Sequence, residues 1–291
     1  MRRLLVLTPL VLAAADVPDP LAFGPDPVTA RVQGAEMRLH VLPGAPSMPV
    51  INPDAAERAG LKAGPFATRA LIGPVRVAGR SAVVRIDLGQ GEFKRRATWF
   101  EGRMTSDADG TIGPGGIPAP VVRFALRPAA PGERSLSFAL ADWGYLGMGV
   151  EVPAGEDTIR LRFSTTRAQS LATASAAAAI AAVADGRFDG EPRRMPVNLG
   201  VERPVRHLAL GRAFAAGPVS LTGMMVRTSD FGSTASIGVQ GEEPDPDEIV
   251  VTGEKQKGKR RMVVEVGADA LAGCSSITFD KPAKRVVFSC R

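Results

Sequence analysis

Four side chains in this 291-residue chain are of the types that bind metals or act as soft nucleophiles: His40, His207, Cys274 and Cys290. Two cysteines and two histidines exclude a zinc site of four cysteines or three histidines, and their spacing fits no compact mixed site. A nucleophilic cysteine needs a neighbour that stabilises the thiolate. Neither Cys274 nor Cys290 has a local histidine, and a Cys-Xaa-Xaa-Cys motif is missing. Their spacing instead suits a structural bond. The runs 276–280 and 284–288 read as strands around the turn Lys281-Pro282-Ala283. Antiparallel pairing about Pro282 puts 280 opposite 284, 278 opposite 286 and 276 opposite 288. The same register sets Cys274 against Cys290, within the reach of a disulfide. Asp280 and Lys284 then form an opposite-charge pair beside the turn. So short a loop contributes roughly 3 kcal/mol in the chain-entropy model.

Other chemistry is thin. His40 and His207 have no Gly-Xaa-Ser-Xaa-Gly nucleophile motif to serve, so both read as structural or exposed. The glycines of GQGEF (89–93) and GPGGI (113–117) read as turns. They lack the Gly-Lys-Ser/Thr and the following helix of a phosphate-cradling loop. No cofactor and no metal is expected. Trp99, Trp143 and Tyr145 read as β-core residues or groove lining.

The elements that position these residues are mostly strands. Gly (32) and Pro (24) are abundant, which favours many turns over long helices. Apolar residues make up 45%, enough for a core, and 23% charged residues argue against wholesale disorder. Strand-like runs follow closely at 35–42, 70–77, 81–88, 93–100, 121–126, 135–140, 158–163, 205–210, 219–226, 262–266, 277–279 and 286–288. VVRIDL and IRLRF alternate with the period of two. Two helices are predicted. Residues 53–59 follow Asn52 as N-cap, have Pro53 at the first position and stop at Gly60. The alanine-rich stretch 170–184 ends at Asp185-Gly186. The expected class is all-β with few short helices.

The N-terminus bears on compartment. Arg2 and Arg3 precede an apolar run from Leu4 to Leu12, and Ala13-Ala14-Ala15 closes it. This is the layout of a secretory signal peptide, 1–15, too short to span a bilayer. Cleavage there removes two arginines from a formal charge of +6. The mature chain is expected to be exported, to the periplasm or beyond, with no integral membrane span. Residues 238–261 hold an acidic cluster (Glu242, Glu243, Asp245, Asp247, Glu248) followed by a basic one (Lys255, Lys257, Lys259, Arg260, Arg261). No apolar period crosses them, so they read as a solvated insertion or a docking loop. Without interleaved aromatics, nucleic acid is not an expected partner. The string 247–253, DEIVVTG, resembles a segment near the start of mature TonB-dependent receptors and hints at a Gram-negative envelope.

Residues 41–51 read VLPGAPSMPVI and lead into NPDAAERAGL at 52–61; DADGTIGPGGI follows far downstream at 107–117. This order resembles one lobe of an aspartic protease of the pepsin and retropepsin superfamily. That family has a strand, an Asp-Thr/Ser-Gly turn, a second strand or short helix, a flap hairpin and a hydrophobic-hydrophobic-Gly element. Thr111-Ile112-Gly113 matches the last of these, and residues 80–100 would hold the flap. The second half repeats the order. It has a strand at 158–163, the turn Ser164-Thr165-Thr166-Arg167, the helix 170–184, VEVGADAL at 264–271 and a final hairpin. The resemblance covers about 35–291 apart from the insertion. It implies a two-lobed aspartic-protease-like β-barrel fold. The first lobe would span 35–150, the second 151–291 with the insertion 238–261, and the Pro-rich segment 16–34 would be peripheral.

The resemblance also implies a site, and there the chain departs from the family. Two aspartates facing each other across the lobes would share one proton and activate water. The matching positions are Leu42, in Leu42-Pro43-Gly44-Ala45, and Ser164. Leucine cannot activate water, and a serine hydroxyl is too weakly acidic to stand in for a carboxylate. Asp87-Leu88-Gly89 and Asp230-Phe231-Gly232 are the alternative carboxylates, but Asp87 precedes Thr111 by only 24 residues, too few for a flap, whereas Leu42 precedes it by 69. The resulting expectation is an exported pseudoenzyme that binds extended peptide in an inter-lobe cleft. The alternatives are an active or divergent aspartic endopeptidase and an envelope structural protein. The expected partner is a peptide or an envelope protein. Oligomeric state is left open.

Overall fold

The structure is a computed structural model that describes residues 19–241 and 261–291. The segment 1–15, the acidic cluster and all the basic cluster except Arg261 lie outside the described residues. In the first half the elements are β1 (Leu21–Phe23), β2 (Val28–Val32), β3 (Ala35–Val41), β4 (Val50–Ile51), α1 (Pro53–Arg58), β5 (Ala67–Ile72), β6 (Val75–Asp87), β7 (Glu92–Phe100), β8 (Gly110–Ile112), β9 (Val121–Ala125) and β10 (Arg134–Ala139). In the second they are β11 (Ala141–Asp142), β12 (Met148–Ala154), β13 (Asp157–Phe163), β14 (Leu171–Ala172), α2 (Ala174–Ala184), β15 (Gly186–Asn198), β16 (Val201–Ala216), β17 (Val219–Arg227), β18 (Val263–Val266), α3 (Ala268–Leu271), β19 (Cys274–Asp280) and β20 (Arg285–Cys290). The protein is thus mostly β with few short helices. No helix among the described residues is long and apolar enough to cross a membrane.

A seven-stranded sheet runs β2-β3-β8-β4-β7-β6-β5 and closes on itself where β2 pairs β6, giving a six-stranded barrel. Alternation along its strands sends Val32, Leu39, Ile51, Ile86 and Trp99 into one core with the alanines of α1. An eight-stranded sheet runs β11-β12-β13-β18-β14-β17-β16-β15. One edge strand, β15, carries Pro192 and Pro196, which cannot donate to a ladder, while its Phe188 exchanges backbone hydrogen bonds with Gly238 and Gln240. A five-stranded sheet, β1-β9-β19-β20-β10, interleaves strands from both halves of the chain. Its Phe288 meets Phe163 edge-on at 4.8 Å. Helix α2 packs on the eight-stranded sheet, and the chain turns so tightly at its end that a Cβ on Gly186 would fall 2.8 Å from the Ala181 Cβ.

The two large sheets share one local order. In the first, β3 is parallel to β8, β8 antiparallel to β4, and β4 parallel to β7. In the second, β13, β18, β14 and β17 repeat the same senses. The rows match residue by residue. His40–Thr111–Val50–Thr98 in one corresponds to Arg162–Glu265–Leu171–Met225 in the other.

Several expectations need correction. The Pro-rich segment 16–34 is not merely peripheral: Leu21–Phe23 pairs β9, and Val28–Val32 is a barrel strand with Ala30 and Val32 buried. The run 70–77 is two strands, because Gly73 at φ 60 turns the chain. The helix at 170–184 begins only at Ala174, since Leu171 and Ala172 pair with β17 and β18. Asn52 precedes α1 but does not cap it with its side chain. Buried, that side chain instead donates to Thr105 O and Ala108 O and accepts from Met104 N.

Cys274 and Cys290 face each other and are disulfide-bonded. The register within the hairpin is one residue off the expected one: Asp280 faces Arg285, Thr278 faces Val287 and Ser276 faces Ser289. The turn takes four residues, with Lys284 left-handed at φ 50, and a bulge between Cys274 and Ser276 restores the cysteine pairing. Asp280 accordingly pairs with Arg285 at 2.9 Å rather than with Lys284. Thiol titration of the denatured, unreduced protein should find no free cysteine. The Cys274→Ser, Cys290→Ser variant should lose roughly 3 kcal/mol in urea unfolding; an unchanged midpoint would count against the hairpin's structural role.

Candidate functional site

Each repeat of the strand order ends in a tight turn. After β3, Leu42 N donates to Ile112 O (3.0 Å). After β13, Ser164 N donates to Val266 O (2.8 Å), the corresponding bond. Gly113 and Gly267, one residue beyond β8 and β18, leave room for the chain beyond each turn. A Cβ on Gly113 would collide with the Ala45 carbonyl, and one on Gly267 would lie 2.5 Å from the Gln169 carbonyl carbon. The two turns meet. A Cβ on Gly44 would sit 2.7 Å from the carbonyl oxygen of Phe163, the residue before Ser164. The structure therefore brings the turns of Leu42 and Ser164 together through backbone contact.

Neither turn carries a carboxylate. The Ser164 hydroxyl accepts from Arg167 N at 3.1 Å and lies 3.5 Å from the Thr166 hydroxyl. It is engaged locally. A cavity of about 160 Å³ adjoins this turn, lined mainly by apolar residues including Leu126, Leu271 and Cys274, with Thr165 at its edge.

The alternative carboxylates are not brought together. Asp87 Oδ1 accepts from Gly89 N (2.8 Å) and Gly91 N (3.2 Å), shaping the turn between β6 and β7. Asp230 lies at the far end of β6: its Oδ1 is 3.1 Å from where a Gly73 Cβ would be. About 40 Å of strand, at ~3.3 Å per residue, separates the two along β6. The Asp230 side chain is 1% exposed, and its Oδ2 lies 2.6 Å from an Arg227 guanidinium nitrogen. That contact is an ion pair by proximity, because Oδ2 has no well-directed hydrogen bond. Burial pushes the Arg227 guanidinium below its ordinary pKa, with Asp230 opposing.

The space between the two matched rows is filled by the chain itself. Val50, Ile72, Val77 and Phe100 from the seven-stranded sheet form one buried apolar cluster with Leu171, Val197, Leu199, Val205 and Met225 from the eight-stranded sheet. Ile72 and Leu199 stand at the tips of the β5–β6 and β15–β16 hairpins. The hairpin that closes over this space in the first half is thus β5–β6, with its tip at Gly73. The β6–β7 hairpin, within the expected flap range 80–100, turns at the opposite end of β6. Each tip docks on the other sheet's elements. Gly73 abuts Ser229, Asp230 and Arg203, and the Leu199 carbonyl lies against Gly102.

Polar residues also line the rows. His40 is buried, and its Nε2 lies 2.9 Å from Asp107 Oδ2. Hydrogen bonds from the Thr105 hydroxyl, and then from His40, hold the Asp107 carboxyl down at about 2. His40 Nδ1 and the Thr111 hydroxyl are buried without hydrogen-bond partners. His207 sits apart, half-exposed, 3.6 Å from Asp189. Among the described residues no group of three or more His, Cys, Asp or Glu could hold a metal ion. Sequence reasoning missed Arg203 and Arg227 and placed Arg167 only within the second turn, without its contacts to Glu265 and Val197.

No protein-family model matches the chain, and no curated protein matches it either.

Two outcomes follow from this geometry. Gly44→Val should destabilise the fold by about 2 kcal/mol or more, because the Phe163 carbonyl occupies the added volume; urea unfolding measures it. Asp107 has a folded-state pKa depressed from 3.8 to about 2. Its contribution is complete above the unfolded value and fades as pH falls through the folded one. Asp107→Asn should therefore flatten the pH dependence of unfolding in that interval.

Proposed function

We propose that this chain is a non-catalytic, exported relative of the pepsin and retropepsin-like aspartic proteases, with a two-lobed arrangement and an inter-lobe groove suited to extended peptide. The observation that carries the reading is the meeting of the Leu42 and Ser164 turns at Gly44 and Phe163. The repeated parallel, antiparallel, parallel strand order on either side of that contact supports it further. Acid proteolysis needs two carboxylates close enough to share a proton. The meeting turns offer a leucine and a serine instead, while Asp87 and Asp230 are held apart by the length of β6. Peptide recognition in this groove would use strand-like main-chain pairing. It would also have to displace the hairpin tips that now fill the space.

The test is cleavage of a peptide library by the purified chain from about pH 3 to pH 7, a range spanning ordinary carboxylate titration. Products are read by mass spectrometry, with and without pepstatin. No turnover is expected, and Asp87→Asn with Asp230→Asn should change nothing. Pepstatin-sensitive turnover lost in that double variant would restore the endopeptidase alternative.

A further inference from the structure

The two hairpin tips that fill the groove are held by arginines, and the arginines hold them by neutral atoms. Arg261 donates to the Leu71 carbonyl at the β5–β6 tip (2.9 Å) and stacks over the Phe231 ring. Arg167 follows the second turn and donates to the carbonyls of Val197 (2.8 Å) and Pro196 (3.4 Å) near the β15–β16 tip. Its Nε pairs with Glu265 at 3.0 Å. Beside them, Arg203 donates to the Ser229 carbonyl and Arg227 pairs with Asp230. Arg162 stands in the row next to Glu265 and donates to the Leu146 carbonyl.

Among the described residues, only two of these five guanidinium groups pair with a carboxylate, Arg167 with Glu265 and Arg227 with Asp230. The Nε atoms of Arg203 and Arg227 are buried without any partner. A guanidinium bound to a carbonyl gains less than one bound to a carboxylate, which adds opposite charge and a bidentate geometry. The apolar residues beneath, Val50, Leu171 and Met225, would accept alternate side chains of a strand.

We infer that the ligand of this groove is an extended peptide with acidic side chains, whose carboxylates take Arg167 and Arg261 from the hairpin carbonyls and so release both tips. The inference rests on the groove reading given above and adds to it the class of ligand and the way the groove opens. A peptide alternating glutamate with valine meets both demands. Its carboxylates satisfy the surplus cations, and its valines replace Ile72 and Leu199 in the apolar cluster. A lysine-bearing peptide would bring further positive charge beside five arginines.

The experiment compares two labelled peptides, alternating valine with glutamate or with lysine, by fluorescence anisotropy. Hydrogen exchange is followed at residues 71–73 and 196–200. The glutamate peptide should bind at least about ten-fold more tightly, as charge-assisted pairing predicts, and exchange at both tips should rise on binding. Arg167→Gln combined with Arg261→Gln should abolish the preference yet bind an uncharged valine–serine peptide more tightly than wild type, because the clamps are gone. Circular dichroism checks that this variant is folded, and the wild-type exchange measurement stands without it. Equal binding of both charged peptides would overturn the acidic preference and leave the groove reading in place. Binding of neither peptide, to wild type or variant, would overturn both. Release of the tips by inorganic sulfate alone, at matched ionic strength, would show a general anion response and overturn the peptide as ligand.

Discussion

Gly44 has no side chain, and the carbonyl oxygen of Phe163 occupies the place where one would begin. The rest of the structure depends on this approach of two backbones. It sets the ends of β3 and β13 against each other, and with them the two matched rows of residues. Close approach of this kind requires glycine, since any Cβ would meet the facing chain. The two rows can then face each other only across a narrow space. Val50, Leu171 and Met225 line that space, and Ile72 and Leu199 enter it from the hairpin tips. Burial of these side chains is favourable by about 1.5–3 kcal/mol each for full transfer from water, which favours tips packed into this space.

The space between the rows is closed and apolar, with polar groups at its rims. Shared-proton catalysis needs two like charges forced together, and the meeting turns supply none. Four described carboxylates are engaged in local structure. Asp87 shapes a turn, Asp230 neutralises a buried arginine, Asp107 orients His40, and Glu265 receives Arg167. Each has a nearby partner. Arginine instead dominates the polar rim, holding both hairpins through backbone carbonyls. Those bonds satisfy the carbonyls that would otherwise be stranded beside apolar side chains.

Local features were legible in the sequence. The alternation in VVRIDL and IRLRF marks β6 and β13, and Pro53 with Gly60 brackets α1. The pairing of Cys274 with Cys290 followed from turn geometry, although the four-residue turn and the bulge shifted the register between them. Long-range features were not legible. Strands β1 and β2 lie in a Pro-rich segment and form because β9 and β3 offer them partners. β15 has charges and two prolines, with little alternation to announce it, and is held by pairing with β16. Asn52 sits where a helix cap would, yet it is drawn inward by backbone groups about fifty residues away. The filling of the groove by Ile72 and Leu199 could not be read at all, because the two tips are remote in sequence and each packs on a sheet built from other segments.

The turns that hold Leu42 and Ser164 meet at Gly44 and Phe163. Replacing both, as Leu42→Asp with Ser164→Asp, turns that claim into a titration. Carbon-13 NMR of the two introduced carboxyls, followed from acid to neutral pH, reads their separation through their coupling. Adjacent carboxylates cannot both ionise freely, so the pair should lose its protons in two well-separated steps, one raised far above the ordinary aspartate value. Two independent titrations near that ordinary value would mean that the turns do not form one site, and would contradict the account.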